Sequence, residues 1–434
     1  MTALQALLIF LISFMVVAVL FKMPVSFALG TSSLLVLAFG GYNLVTVPQF
    51  AFSGLDSFAL LAIPFYIFAG VIMEYSGISK MLIDWIKSFV GRIRGATGVI
   101  TICACMAFGV LTGSAMATIS AIGKMMVPEL EKEGYPKAYN SALLAATCFL
   151  GILIPPSVPG IMYALASGGK ISEIWMSTVG PAFIFAVGYF VINYFRIGRH
   201  QVKPEKVNVA FSEKVRQIGK STFYAIPALL MPIIIVGTIT MGIVSPTEAG
   251  VIAVVYGLFA GGIIYRELKW EDIKFAFAET VRTSGRIFIV IGAAKLYTVM
   301  LTTAGFDNWV ANTMLGFTTN RTIILIMILL IFFIVTMFME SIATLTLFMP
   351  ILYPIAIGVG IDPIVLSVLI TVVIGVGLVT PPVGMCIYVA CDLMDIKVED
   401  VFPTLLPFIG ATFLCIALMI AFPQLVLLPT YLMA

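Results

Sequence analysis

Apolar residues run through this chain in blocks of about twenty, each closed by a short polar or glycine- and proline-bearing stretch. Wound as a helix, such a block covers the roughly 30 Å of a bilayer's hydrocarbon. Hydropathy and breakers together predict crossings at 3–21, 25–41, 58–75, 137–168, 173–195, 222–242, 247–265, 284–304, 363–392 and 403–430. Two further apolar stretches, 95–130 and 322–358, are interrupted near their middles by small and polar residues. Each reads as two short spans, or as a helical hairpin that enters and leaves on one side.

Positive charge separates these readings. The longest polar loop, "RIGRHQVKPEKVNVAFSEKVRQIGK" (196–220), carries seven Lys and Arg and is assigned to the cytoplasm. With both interrupted stretches as hairpins, Lys22, the group Lys80, Lys87, Arg92 and Arg94, and the group Arg266, Lys269, Lys274 and Arg282 fall on that same side. Both termini and the "TTAGFDNW" loop around Asp307 then face the periplasm. Two segments with apolar residues at helical spacing, "ISKMLIDWIKSFVGRIR" (78–94) and "WEDIKFAFAETVRTSGR" (270–286), read as amphipathic helices in the cytoplasmic interface. Such arms either brace a rigid frame or simply anchor the protein.

Composition narrows the class. The chain is 61% hydrophobic and 10% charged, with a mean hydropathy of +1.13, which predicts an all-α polytopic membrane protein with a single membrane domain over 1–434. Residues 3–21 flow into Lys22, Met23 and Pro24 without a small-residue cleavage site, so no cleavable signal is expected. The six cysteines lie in apolar segments and read as packing residues, and the one histidine, His200, sits in a polar loop. Histidine relays and His-ligated metals therefore have little to work with. The net charge of +3 reflects loop bias, and no nucleic-acid partner is expected.

A shift of 226 residues aligns the chain with itself through the interrupted regions. "SAMATISAIGKMMVPELEKEGY" (114–135) lies over "ESIATLTLFMPILYPIAIGVGI" (340–361), pairing Thr118 with Thr344, Pro128 with Pro354 and Gly134 with Gly360. Further on, "GILIPPSV" (151–158) lies over "GLVTPPVG" (377–384), pairing Gly151 with Gly377 and both prolines with both prolines. Five predicted crossings separate the hairpins, an odd number, so the copies have opposite orientations. Inverted repeats with broken helices near the midplane are the recurring architecture of secondary transporters. The first copy comprises a hairpin plus a broken helix over 95–195, and the second the same over 322–392, with the basic loop 196–220 between them.

The breaks have a chemical use. Proline lacks an N–H, and irregular backbone at membrane depth is tolerated only where protein or a water-filled site satisfies it. Pro155 and Pro156 are expected to leave the carbonyls of Gly151 to Ile154 without helical donors, and Pro381 and Pro382 those of Gly377 to Thr380. Those carbonyls, with the hydroxyls of Ser114, Thr118, Ser341, Thr344 and Thr380, suit a hard monovalent cation, while a calcium cage would need more carboxylates. At the hairpin tips, "GSAMAT" (113–118) and "MESIAT" (339–344) each open a helix whose N-terminal amides would face an anion. Sodium bound together with an organic carboxylate follows. Ser114, Ala115, Thr118, Ser157, Ser341, Thr344 and Pro381 are the candidate substrate contacts. A Pro-Pro pair also reads as a plain kink, and Ser or Thr in an apolar helix also bonds back to its own turn.

Two charges interrupt the apolar pattern. Glu340 stands at the second tip where the first has Ser114, as a cation ligand, a proton site or a tip-stabilising acceptor. Lys295, inside "IGAAKLYTVM", reads as a substrate counter-charge, an ion-pair partner or a snorkelling residue. Glu74, Lys124 and Glu248 lie nearer helix ends and read as structural.

Together, "GSAMATISAIGKMMVPELEKEGYPKAYNSALLAATCFLGILIPPS" and "MESIATLTLFMPILYPIAIGVGIDPIVLSVLITVVIGVGLVTPPVGM" resemble the large membrane subunit of the tripartite ATP-independent periplasmic (TRAP) transporters, over essentially the whole chain. The resemblance implies a sodium-driven importer of organic acids in the bacterial inner membrane. It implies two partners, a small four-helix membrane subunit and a soluble periplasmic substrate-binding protein. It also implies an elevator mechanism, in which the part holding hairpins and broken helices slides against a scaffold. Family sodium sites carry over to Ser114, Thr118, Gly151, Ile154 and Pro156, and to Thr344, Gly377, Thr380 and Pro382. At Lys295 the family leads one to expect a small or apolar residue. "GGKIS" lacks the spaced glycine of a Walker loop, which fits ATP independence.

Two rivals remain at this level. One is a stand-alone sodium- or proton-coupled carboxylate permease of related architecture. The other is an intramembrane enzyme, against which no paired carboxylates, nucleophile-histidine pair or metal cluster recurs at one depth.

Overall fold

The computed structural model describes residues 3–90, 95–197 and 211–431. Arg92, Arg94, His200 and most of the 196–220 loop lie outside them. Among the described residues there are helices and no strands. The helices fall into four runs. The first holds α1 (Ala3–Met15), α2 (Val25–Phe39), α3 (Val47–Leu55), α4 (Ala62–Tyr75) and α5 (Ile78–Val90). The second holds α6 (Ala96–Thr112), α7 (Ala115–Lys132), α8 (Lys137–Cys148), α9 (Leu150–Leu153), α10 (Val158–Ser167) and α11 (Ile171–Ile197). The third holds α12 (Phe211–Thr240), α13 (Pro246–Phe259), α14 (Trp270–Thr303) and α15 (Phe306–Phe317). The fourth holds α16 (Arg321–Thr336), α17 (Ser341–Gly358), α18 (Pro363–Gly377), α19 (Met385–Met394), α20 (Val398–Ala421) and α21 (Gln424–Tyr431).

Seven helical spans are long and apolar enough to cross a bilayer, with bounds Phe58–Tyr75, Ile171–Arg196, Glu213–Thr240, Pro246–Ile264, Trp270–Thr303, Ser341–Gly358 and Val398–Ala421. The bent pair Lys137–Leu153 and Val158–Ser167, kinked by 47°, makes an eighth. Runs one and three pack together, α4 on α13, α5 on α12, and α14 across α2, α3 and α4. Runs two and four form a second group, with α8 on α20, α11 on α21 and α16 on α18. Within it the halves are interleaved: α7 beds on α19, and α17 on α10. The groups meet where α4 and α5 touch α6, and where α14 touches α17.

Three expectations change. Segment 270–286 is not a separate interfacial helix: it is the first half of α14, 34 residues and about 51 Å long. Its start is fixed by the Lys269 N–H donating to Asp272 Oδ2 (2.9 Å), and no proline follows to stop it. The stretch around Asp307, read as a loop, is helix α15, entered through Gly305 at φ +68°. The predicted span 403–430 is two helices, broken at Phe422. Segment 78–90 does form an amphipathic helix. It buries Ile78, Leu82, Ile83 and Ile86 and donates from Trp85 Nε1 to Thr222 Oγ1 (3.2 Å) on α12.

Candidate functional site

Both interrupted stretches are helix–turn–helix pairs, α6 with α7 and α16 with α17. Each second arm starts on an N-cap side chain, because the first amides of a helix have no intrahelical acceptor. Ser114 Oγ accepts from Ala117 N (3.4 Å), and Glu340 Oε2 from Ile342 N (3.1 Å). One turn later the hydroxyls of Thr118 and Thr344 each donate to the cap residue's carbonyl, at 2.8 and 3.1 Å. Both threonines are fully buried. Equivalent residues thus adopt the same local geometry, and both Pro-Pro bonds, Pro155–Pro156 and Pro381–Pro382, are cis.

The first tip sits directly on the first break. A β-carbon at Gly151 would lie 2.6 Å from Thr118 Oγ1 and 3.2 Å from the Gly109 Cα, so only glycine lets the two backbones and the hydroxyl approach. The tip turn at Gly113 presses on the Pro156 carbonyl. At the break, Ile154 is extended (φ −93°, ψ 126°) and Ser157, 2% exposed, restarts the helix by accepting from Gly160 N (3.3 Å). Two carbonyls at the break are reached from α11: Thr178 Oγ1 donates to Leu153 O (2.5 Å), and Trp175 Nε1 to Ser157 O (3.0 Å), which also accepts from Ile161 N (3.1 Å). Among the described residues, no backbone N–H donates to the carbonyls of Gly151, Ile152, Ile154 or Pro156. Thr112 Oγ1, at the end of α6, lies 3.4 Å from Thr118 Oγ1. The structure therefore seats the tip, with Ser114, Ala115 and Thr118, against the break at Gly151, Pro156 and Ser157, with Ile154 on the extended stretch between them; Ser114 and Ile154 are half-buried and the others buried.

The second tip and break differ. Gly377 packs on Thr336 of α16 rather than on Thr344, and a β-carbon there would overlap the Thr336 hydroxyl. The carbonyls expected to be free are partly taken: Thr380 N donates to Gly377 O (3.2 Å) and Cys386 N to Leu378 O (2.9 Å). The break residues can bond each other because seven residues, 378–384, separate α18 from α19, which is room for a turn. Thr380 Oγ1 bonds back to Val376 O (2.7 Å), Tyr388 donates to Pro382 O (3.2 Å), and Gly384 N ties the break to Met337 O (3.1 Å). Ser341 is 4% and Thr380 8% exposed, whereas Glu340, Pro382 and Val383 are open. The halves touch where Met116, at the first tip, lies 3.6 Å from Cys386 (Sδ to Sγ), just past the second break.

Glu74 and Glu248 fall at helix ends as read, whereas Lys124 stands midway along α7. Lys124 pairs with Glu74 (3.6 Å), Lys87 with Glu129, and Glu248 closes a capping box with Ser245. Lys295 is exposed, its stem lying against Gly54 of α3. Thr112, Thr336, Trp175 and Thr178 were not singled out from sequence. Thr112 was legible as the hydroxyl directly before "GSAMAT"; the α11 pair was not, because only folding brings it to the break.

Broken helices beside helix–turn–helix tips in an apolar chain fit a transporter's architecture, and comparison with known proteins agrees. The fold is similar to the YdaH transporter of Alcanivorax borkumensis (TM-score 0.61, 11% identity, 86% of each chain) and to Neisseria gonorrhoeae MtrF (TM-score 0.58, 16% identity, 87% of this chain and 84% of that one). Residues 11–425 match the family model described as tripartite ATP-independent periplasmic transporter, DctM component. Among relatives, the isethionate TRAP transporter permease protein DctMQ of Oleidesulfovibrio alaskensis is 32% identical over 388 residues, 89% of this chain; this chain spans 60% of that protein's length. The sialic acid TRAP transporter large permease protein SiaM of Vibrio cholerae is 30% identical over 411 residues, 94% of each. The protein is a multi-pass membrane permease and not an enzyme. It belongs to the DctM family of TRAP transporter large permeases.

Proposed function

We propose that the chain performs sodium-coupled uptake of an organic acid anion across the inner membrane, with both termini periplasmic, as the permease of a TRAP system. The observation that carries this reading is the first tip seated on the first break, Thr118 against Gly151 and Gly113 against the Pro156 carbonyl, where among the described residues the carbonyls of Gly151, Ile154 and Pro156 take no backbone donor. Unpaired carbonyls and hydroxyls at membrane depth offer the neutral oxygen shell that a sodium ion needs in place of water. Thr344, Gly377, Thr380 and Pro382 supply a second, looser set. The anion binds between the tips, against Ser114, Ala115, Thr118, Ser157, Ser341, Thr344 and Pro381, where the α7 amides favour negative charge. The relatives named for isethionate and sialic acid support a small carboxylate- or sulfonate-class anion.

The two packed groups suit an elevator, with runs two and four as the inverted, substrate-carrying part and runs one and three as the frame. A small four-helix membrane subunit and a periplasmic binding protein complete the system. In proteoliposomes, uptake of labelled substrate should need a sodium gradient, the small subunit and the binding protein together. Uptake by this chain alone would favour the stand-alone permease instead.

A further inference from the structure

Among the described residues, three ion pairs are local contacts between residues three apart: Asp84 with Lys87, Lys170 with Glu173 and Glu279 with Arg282. The other two, Glu74 with Lys124 (3.6 Å) and Lys87 with Glu129, join distant stretches of chain, and both cross the same boundary. Glu74 and Lys87 lie in the last turns of α4 and α5, in the group assigned to the frame. Lys124 and Glu129 lie on α7, in the substrate-carrying group. This is the helix that starts at the first tip, with Ser114 as its cap and Thr118 one turn on.

The signs alternate across the boundary. The frame supplies one acid and one base, and α7 answers each with its opposite. Exchanging partners would set Lys124 against Lys87 and Glu129 against Glu74, so the four charges are satisfied in the arrangement described here and in no re-pairing among themselves. Both pairs are partly exposed, with side-chain exposures from 26% to 62%, so neither holds the fold together. Weak contacts of that kind are suited to biasing an equilibrium between two packed arrangements. Asp84 Oδ1, 4.0 Å from Lys87 Nζ on the same helix, keeps that lysine partly paired when α7 departs.

We infer that Glu74–Lys124 and Lys87–Glu129 form a two-point electrostatic latch, which holds α7 and the first tip against the frame and opens when the substrate-carrying part moves. The latch rests on the elevator reading for the existence of a second arrangement.

The test measures the distance between spin labels on the two groups, in the full chain in lipid nanodiscs, with and without sodium. Labels go on Asn308→Cys in α15 and Gln424→Cys in α21, both exposed, since the native cysteines are buried or half-buried. Wild type should show two distances, the one that fits this structure being favoured. Lys87→Glu or Glu129→Lys should each lower its share relative to the other about fivefold, and Lys87→Glu with Glu129→Lys should restore it. Reversing both charges of α7, Lys124→Glu with Glu129→Lys, keeps the net charge and should give the largest shift, about tenfold. Unchanged populations in that variant, or no recovery in the swapped pair, would overturn the latch. The swapped pair keeps the test decisive where a single reversal fails to fold. One distance in wild type under every condition would instead overturn the elevator reading, and the latch with it.

Discussion

The two tip-and-break pairs start from equivalent residues and end in different states. At the first, a neutral serine caps the helix, the tip is seated on the break, and the cluster is buried with several carbonyls lacking donors. At the second, a carboxyl group caps the helix, the break bonds within itself, and Pro382 is open. The residue identities set the backbone shape at both, but how close the tip lies decides which oxygens stay available. Tightness, and not the presence of a Pro-Pro break, separates a break whose carbonyls keep no backbone donor from a loop that satisfies itself.

The largest test of that contrast is Gly151→Ala. The added methyl meets the Gly109 backbone, which cannot rotate away, so stability should fall by about 3 kcal/mol and uptake should be lost. Unfolding in detergent measures it; a neutral result would show that the tip is free to lift off. Next comes Thr178→Val, which strips the donor from Leu153 O and should cost about 2 kcal/mol in the same assay. At the second break the Leu378 carbonyl is satisfied from the backbone, by Cys386 N, and the Pro382 carbonyl by Tyr388.

Thr118→Val should raise the sodium concentration for half-maximal uptake about tenfold, equivalent to about 1.4 kcal/mol, and Thr344→Val by clearly less. Equal shifts would erase the asymmetry. The smallest effect belongs to Lys87→Ala. Its half-exposed pair with Glu129 ties α5 to α7 across the two groups, so the stability change should stay below about 1 kcal/mol.

Much of the fold was legible because membrane helices declare themselves by length, and prolines and glycines by position. Both hairpins and both breaks fall where 113–118, 151–158, 339–344 and 377–384 place them. What escaped depends on tertiary register. Whether a freed carbonyl stays free is decided by Thr178 and Trp175, some twenty residues on, or by a turn at Thr380 that one break has room for and the other lacks. The continuity of α14 escaped because its charged first half and apolar second half suggest two environments, while its backbone meets no breaker.

The interleaving of α7 on α19 and of α17 on α10 has a thermodynamic corollary. With Met116 resting beside Cys386, a ligand that tightened the first tip, as the proposed function has it, would also bear on the exit of the second break. Linkage then requires reciprocity: whatever free energy one occupant lends to the other's affinity is returned in equal measure. On the proposed reading, occupying one half of the permease would alter the dissociation constant of its twin.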